Sequence, residues 1–344
     1  MANFDVSNLL TAQTLVAKKY AQPEMRMKPA PAFQLLTGNS NFLVVGAETL
    51  RTRDDRAIEA HLLKRTVRTP TASRTYNHTG TVDDSMKVDL TWTTKVDKFA
   101  ISLKLLDKNI FDFNTVLANK LEQACMNILE AKETEAIAYL RAQRATASAT
   151  LKGMTFNTTN DAVEISDADK NLFFQRLKSG MRQNYFNSSN LDVIADSLLY
   201  GWGEYIGRQG AANATNLGYQ FQGVDVIESI ELADANYANG VGLAFEKGTV
   251  AALNWIPKQN RTGWGDYNSY VGGYGTFNFL GYQFALHGYA SRSDTSAANG
   301  DGQDVTMEFE LSLDTSYNKA PLSTISGRTD SVILEFGQAA PVEA

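Results

Sequence analysis

"FDFNTVLANKLEQACMNILEAKETEAIAYLRAQRA", residues 111–145, contains no glycine or proline and is rich in strong helix formers. Asp112 or Asn114 supplies an N-cap, and Arg141 and Arg144 stand near the far end, where cations complement the helix dipole. Leu117, Leu121, Ala124 and Ile128 recur at 4-3-4 spacing, with Ile137 and Leu140 farther on. The spacing predicts a helix over about 114–144, roughly 45 Å long at 1.5 Å per residue. A compact small domain needs nothing so long, so the helix reads as a strut along an elongated or flattened molecule.

On its N-terminal side, a short helix over about Ser7 to Lys19 precedes "QPEMRMKPAPAF", where Pro23, Pro29 and Pro31 favour extended chain. Residues 1–45 therefore read as an arm rather than a core element. Residues 50–80 are polar with poor periodicity and read as a projecting excursion. Met86, Val88, Leu90 and Trp92, then Phe99, Ile101, Leu103 and Leu105, alternate as two half-buried strands or one strand bent near Asp97.

On its C-terminal side, "ISDADKNLFFQRLKSGMRQN" predicts a second helix, with Ser166 and Asp169 at capping-box spacing. "LDVIADSLLYGWGEYIGRQGAANATNLGYQFQGVDVIESIEL" reads as strand, short helix, glycine-rich loop and strand. "GVGLAFEKGTVAALNW" adds a strand running into a helix or turn. Val305, Met307, Phe309, Leu311 and Leu313 alternate strictly, and "SVILEFGQ" supplies a last strand. The order is α+β.

The chain has 344 residues and a net charge of −6, unevenly spread. Residues 1–75 hold eleven Lys/Arg against six Asp/Glu, and the remainder 21 against 32. The basic residues are interleaved with Asp54, Asp55 and Glu59, which suits a segment lying on an acidic neighbouring subunit better than a nucleic-acid arm. The N-terminus lacks the basic and apolar regions of an export signal, and no apolar run is long enough to span a membrane, so the chain is expected to stay soluble in the cytoplasm where it is made. Cys125, the sole cysteine, reads as a small buried hydrophobe.

Catalytic patterns are missing. His61, His78 and His287 lie on separate segments without metal-ligand spacing, and no nucleophile elbow or phosphate-binding loop occurs. "GWGEYIG", residues 201–207, has the wrong glycine spacing for a dinucleotide loop and follows a helical segment. No motif implies a cofactor or a metal. Residues 263–282, "GWGDYNSYVGGYGTFNFLGY", pack seven aromatics and six glycines into twenty positions, which raises a ligand platform or a packed loop as readings.

The order of elements resembles the major capsid proteins of tailed bacteriophages, the Hong Kong 97 fold. "LDVIADSLLYGWGEYIG" followed by "YQFQGVDVIESIEL", with Gly223, Val224, Val226 and Ser229, is similar to that family's axial domain, and "GLAFEKGTVAAL" to its following strand. The resemblance implies an N-terminal arm over 1–45, an extended loop with flanking strands over 46–98, and a peripheral domain with spine helix over 99–164. It further implies an axial domain over 165–276, and return strands of the peripheral domain with a C-terminal strand over 277–344. A long charged scaffolding segment before the loop is missing, which implies a separate scaffolding protein or none.

The implied protein is a structural one rather than an enzyme: a coat subunit of the virion that self-assembles through hexamers and pentamers. The icosahedral shell would enclose double-stranded DNA without sequence-specific binding, and would meet portal and decoration proteins. Arg51, Arg53, Arg56, Lys64, Arg65, Arg68 and Arg74 would meet acidic neighbours. Trp264, Tyr267, Tyr270 and Tyr274 would make contacts within or between subunits. Two rival readings are an encapsulin-like cellular compartment, which shares the fold, and a carbohydrate-binding surface protein, motivated by the aromatic stretch.

Overall fold

The structure is a computed structural model that describes residues 6–20, 30–44, 46–62, 86–102, 112–148, 151–209, 223–233, 236–237, 239–293, 304–322 and 329–339. In order, the first elements are helices α1 (Val6–Tyr20), α2 (Pro31–Gly38), α3 (Ser40–Leu43) and α4 (Ala47–Thr52), strands β1 (Glu59–Leu62), β2 (Met86–Asp89) and β3 (Trp92–Ser102), and the long helix α5 (Phe113–Ala142). Asp112 is the N-cap of α5, its side chain accepting from the Thr115 N–H at 3.2 Å. Leu117, Leu121, Ile128, Ala136, Ile137 and Leu140 are buried along it, each large one stabilising the fold by about 1.5–3 kcal/mol.

What α5 covers is a sheet in the order β10-β11-β12-β13-β3, built from β10 (Trp264–Asp266), β11 (Gly272–Phe279), β12 (Tyr282–Ser293) and β13 (Asp304–Lys319). β9 (Val250–Trp255) also pairs with the C-terminal part of β13. Met307, Phe309, Leu311 and Leu313 point into the core, as their alternation requires. The strand break falls at Leu90 and Thr91 rather than near Asp97. There the Leu90 N–H donates to the Ile58 carbonyl at 2.8 Å, and the Trp92 indole to that of Ala57 at 2.7 Å. Asp97 sits mid-strand, its carboxylate accepting from Asn127 on α5 at 2.8 Å.

The described parts of residues 1–45 do not stand off as an arm. Leu9, Ala12 and Val16 of α1 and Ala32, Phe33 and Leu36 of α2 belong to the same core as α5. Pro31 opens α2 at its first turn, where a missing N–H costs nothing, so a proline expected to keep the chain extended instead starts a helix.

The second sheet has the order β4-β5-β14-β8-β6-β7, from β4 (Thr155–Asn157), β5 (Ala162–Ile165), β6 (Leu191–Ala195), β7 (Val224–Glu228), β8 (Val241–Glu246) and β14 (Leu334–Gln338). β6 and β7 are parallel and joined through α7 (Ser197–Gln209), as the strand-helix-loop-strand pattern predicts. Helix α6 (Phe173–Gln183) packs Phe173, Phe174, Leu177 and Met181 on this sheet. The capping box expected at its start does not form: Ser166 makes no side-chain cap, residues 167–172 wind as a 3-10 turn, and Asp169 pairs with Arg176 at 3.1 Å.

Three boundaries expected from the sequence fall inside strands, residue 98 within β3, residue 164 within β5 and residue 276 within β11. The C-terminal strand β14 lies between β5 and β8 in the second sheet, not among the return strands of the first. "GTVAALNW" is neither helix nor turn but strand β9, so the short turn at Lys247–Thr249 carries the chain from one sheet to the other.

Candidate subunit-contact surfaces

The aromatic stretch is not a loop but the edge of the first sheet, with a short helix α8 (Lys258–Thr262) before it. Pairing sets Trp264 opposite Tyr274, Tyr274 opposite His287, His287 opposite Glu310, and Glu310 opposite Lys98. Ring centroids are 5.8 Å apart for Trp264–Tyr274, 4.4 Å for Tyr274–His287 and 5.9 Å for His287–Tyr289, the planes within 34° of parallel. The row continues in an ion pair of 3.0 Å between Lys98 and Glu310, and Tyr289 donates to Glu308 at 2.5 Å. A sugar platform presents ring faces to solvent. Here the Tyr274 and His287 faces cover one another, while the Trp264 ring lies tilted to Tyr274 and stays largely exposed.

Glycine has a specific purpose here. Cβ atoms added at Gly273 and Gly275 would lie 2.9 Å from Cδ2 and 2.5 Å from the hydroxyl of Tyr267, so the two residues leave a trough for that ring. Tyr267 is consequently 7% exposed inside its own chain, and burial pushes its hydroxyl up to about 12. Trp264 and Tyr270 are 59% and 86% exposed, and Tyr274 is half-buried in the stack. Only the last three therefore offer side-chain surface outward.

The basic group divides similarly. Arg51 pairs with Glu48 at 2.8 Å and donates to Ser40. Arg56 reaches Asp314 at 3.3 Å and lies 5.4 Å over the Trp255 ring. Both are used inside the chain. Arg53 is exposed, its carbonyl accepting from Trp255 at 3.0 Å and from Arg261 at 2.8 Å. Lys64, Arg65, Arg68 and Arg74 lie outside the described residues, as does His78. The segment that carries them starts and ends at a matched pair, Leu62 opposite Met86 on antiparallel β1 and β2.

Sequence reasoning missed the buried carboxylates that fasten α2. Glu133 accepts from the Ala32 and Phe33 N–H groups at 3.2 and 2.9 Å and from the Ser229 hydroxyl at 2.6 Å, capping α2 from outside. At the other end Asn39 donates to Asp192 at 2.9 Å. Burial pushes both carboxyls above their ordinary values. The available signal was Lys132-Glu133 interrupting the apolar stripe of the long helix between Ile128 and Ile137. Lys132, wholly buried, is satisfied by the Thr93 carbonyl at 3.1 Å and Glu135 at 2.8 Å. Among the described residues no three His, Cys, Asp or Glu are grouped to hold a metal, and no helix is long and apolar enough to cross a membrane.

No family model matches the chain, and no curated protein matches it. Among solved structures it is similar to the cyanophage Pam1 capsid asymmetric unit, with a TM-score of 0.50 and 13% identity over 92% of this chain and 94% of that one. It is also similar to the capsid of Ralstonia phage GP4, with a TM-score of 0.48 and 9% identity over 93% and 94% of the two chains. The Pam1 likeness shows the fold: this α+β chain is built as that capsid chain is, over nearly its whole length.

Proposed function

We propose that this chain is the major capsid protein of a tailed bacteriophage, self-assembling through hexamers and pentamers into an icosahedral shell around double-stranded DNA. The observation that carries the reading is the agreement with the Pam1 capsid chain over 92% of this chain and 94% of that one. In this reading residues 46–98 are the extended loop with its flanking strands, α5 is the spine helix, and the second sheet belongs to the axial domain.

The charge split supports the loop assignment. With Arg51 and Arg56 occupied inside the chain, the exposed Arg53 joins Lys64, Arg65, Arg68 and Arg74 as the candidates for meeting an acidic neighbour. Such rim pairs set register and encounter rate more than affinity. Trp264, Tyr270 and Tyr274 are the aromatic candidates for subunit contact. Portal and decoration proteins, and a separate scaffolding protein, are further partners in this reading. The chain performs no chemistry in it.

The test is electron microscopy of the purified chain, with and without co-expressed scaffolding protein, for capsomers or closed shells. Reversing Arg65 and Arg68 to Glu should impair assembly while circular dichroism of the subunit is unchanged; normal assembly would remove both from the interface. An encapsulin-like compartment has shells too, and nucleic acid rather than cargo enzyme inside them separates the two.

A further inference from the structure

We infer that the aromatic hairpin over residues 264–272 seats the arginines of residues 63–85 of a second copy of this chain, by guanidinium stacking on Trp264 and Tyr270 beside the carboxylates of Asp266 and Glu308. The inference rests on the capsid reading and adds to it a pairing: the basic and the aromatic contact residues meet one another across the subunit boundary.

The first support is the shape of the face. Trp264 and Asp266 stand two residues apart on β10 and so share one side of the sheet. Trp264 begins the row that runs through Tyr274 and His287 to Glu310, and Asp266 begins the row beside it. Asp266 is opposite Gly272, where an added Cβ would lie 3.1 Å from that of Tyr289, and Tyr289 is opposite Glu308. Tyr270 and Val271, both exposed, lie in the turn that joins β10 to β11. That turn is fastened three times. The Ser269 N–H donates to the Asp266 carbonyl at 3.0 Å, the Gly272 N–H to the Ser269 hydroxyl at 3.0 Å, and the Ala290 N–H of β12 to the Ser269 carbonyl at 3.4 Å. The exposed ring of Tyr270 is therefore presented from a fixed backbone, which lowers the entropy lost on contact.

The second support is charge. Asp266 is exposed and accepts from the Asn268 backbone N–H at 2.9 Å and its side chain at 3.3 Å. Glu308 accepts from the Tyr289 hydroxyl, and Glu310 shares Lys98. Among the described residues neither Asp266 nor Glu308 has an ion-pair partner. The face thus sets two carboxylates without a cation beside exposed aromatic rings.

Arginine is the cation this combination selects. Its planar guanidinium lies flat on a ring while its edge donates to a carboxylate, a pair of contacts that the compact lysine ammonium does not match. Residues 63–82 carry Lys64, Arg65, Arg68 and Arg74 and no carboxylate. Their segment begins and ends at one place, Leu62 opposite Met86. At about 3.3 Å per residue, Arg68 and Arg74 can lie up to roughly 20 and 40 Å from Leu62, far enough to cross to a neighbouring copy.

The test is disulfide trapping in particles of the full chain. Cys125, the one native cysteine, is buried and does not compete. Chains carrying R65C, R68C or R74C are each co-assembled with a Y270C chain and with wild type, which carries the lattice where a variant alone does not, then oxidised mildly and run without reductant. At least one mixture should give a covalent dimer that neither variant gives by itself. E130C in place of Y270C, an exposed carboxylate site on α5, should give none. R65K/R68K/R74K keeps every charge and should still raise the concentration for half-assembly by about tenfold, because the stacking is lost. No mixed dimer from any of the three arginine positions, an equal yield with E130C, or normal assembly of the triple lysine variant would overturn the inference. Micrographs of the wild type separate the two levels: closed shells without these dimers sink this inference alone, and absent shells sink the capsid reading and this inference with it.

Discussion

The carboxylate of Glu133, midway along the long helix, accepts the backbone N–H of Phe33 at 2.9 Å, one hundred residues away in the chain. With the Ala32 N–H and the Ser229 hydroxyl it ties the N-terminal helices, the strut helix and the end of β7 at one point. Glu133→Ala leaves two backbone donors and a hydroxyl buried without their acceptor. The expected loss is about 3 kcal/mol, read by urea denaturation of the unassembled subunit.

The same residue shapes the pH profile. Burial, reinforced by the nearby Glu231 charge, holds its carboxyl above the ordinary value of 4.5 despite three donors. The folded chain therefore keeps this proton more tightly than the unfolded chain does. Its contribution is fully present below pH 4.5 and is lost as pH rises through the raised value. Asp192 acts in the same sense. Glu133→Gln should flatten the decline in stability over that window, as measured by denaturation at a series of pH values; an unchanged slope would show that Glu133 titrates normally.

The aromatic edge should split into core and surface. Tyr267→Ala removes a buried ring and should cost about 3–5 kcal/mol. Trp264→Ala and Tyr270→Ala, at exposed sites, should stay within about 0.5–1 kcal/mol in the unassembled subunit while weakening assembly. Equal losses in all three, read by thermal melts, would contradict the division.

Gly272 has φ 90°, and a Cβ there would lie 2.6 Å from His287 Nε2 and 2.7 Å from the Gly288 carbonyl oxygen. Gly272→Ala should therefore destabilise by at least about 2 kcal/mol and disturb the Tyr274–His287 stack, visible in near-ultraviolet circular dichroism.

Arg56 partners Asp314, which is 5% exposed. Arg56→Ala should cost about 1–2 kcal/mol through the stranded carboxylate, less than a fully buried pair because Arg56 is partly solvated. A neutral result would place the arginine's role outside its own subunit.

The strut helix was legible because thirty residues of good formers with a capping aspartate leave helix no competitor. The β6–α7–β7 unit was legible because its strands are short apolar runs separated by a glycine-rich gap. Helix α1 was legible as well, expected over about Ser7 to Lys19 and found at Val6–Tyr20, but α2 was not, because Pro31 marks a helix start as readily as an extended chain, and the difference lies in Glu133, one hundred residues on. The aromatic-glycine stretch misled for a related reason. Its glycines make room for the Tyr267 ring as well as turning the chain, and only strand pairing reveals which neighbour occupies the space. The basic residues could be counted from the sequence, but not which would be consumed at home, as Arg51 and Arg56 are.

The central claim is that copies of this chain close into a shell. Cryo-electron microscopy of the purified protein, with scaffolding protein supplied where needed, tests it most directly. The account predicts closed icosahedral particles whose wall density fits the α5 strut and its two sheets, and a protein that stays monomeric under all such conditions would contradict it.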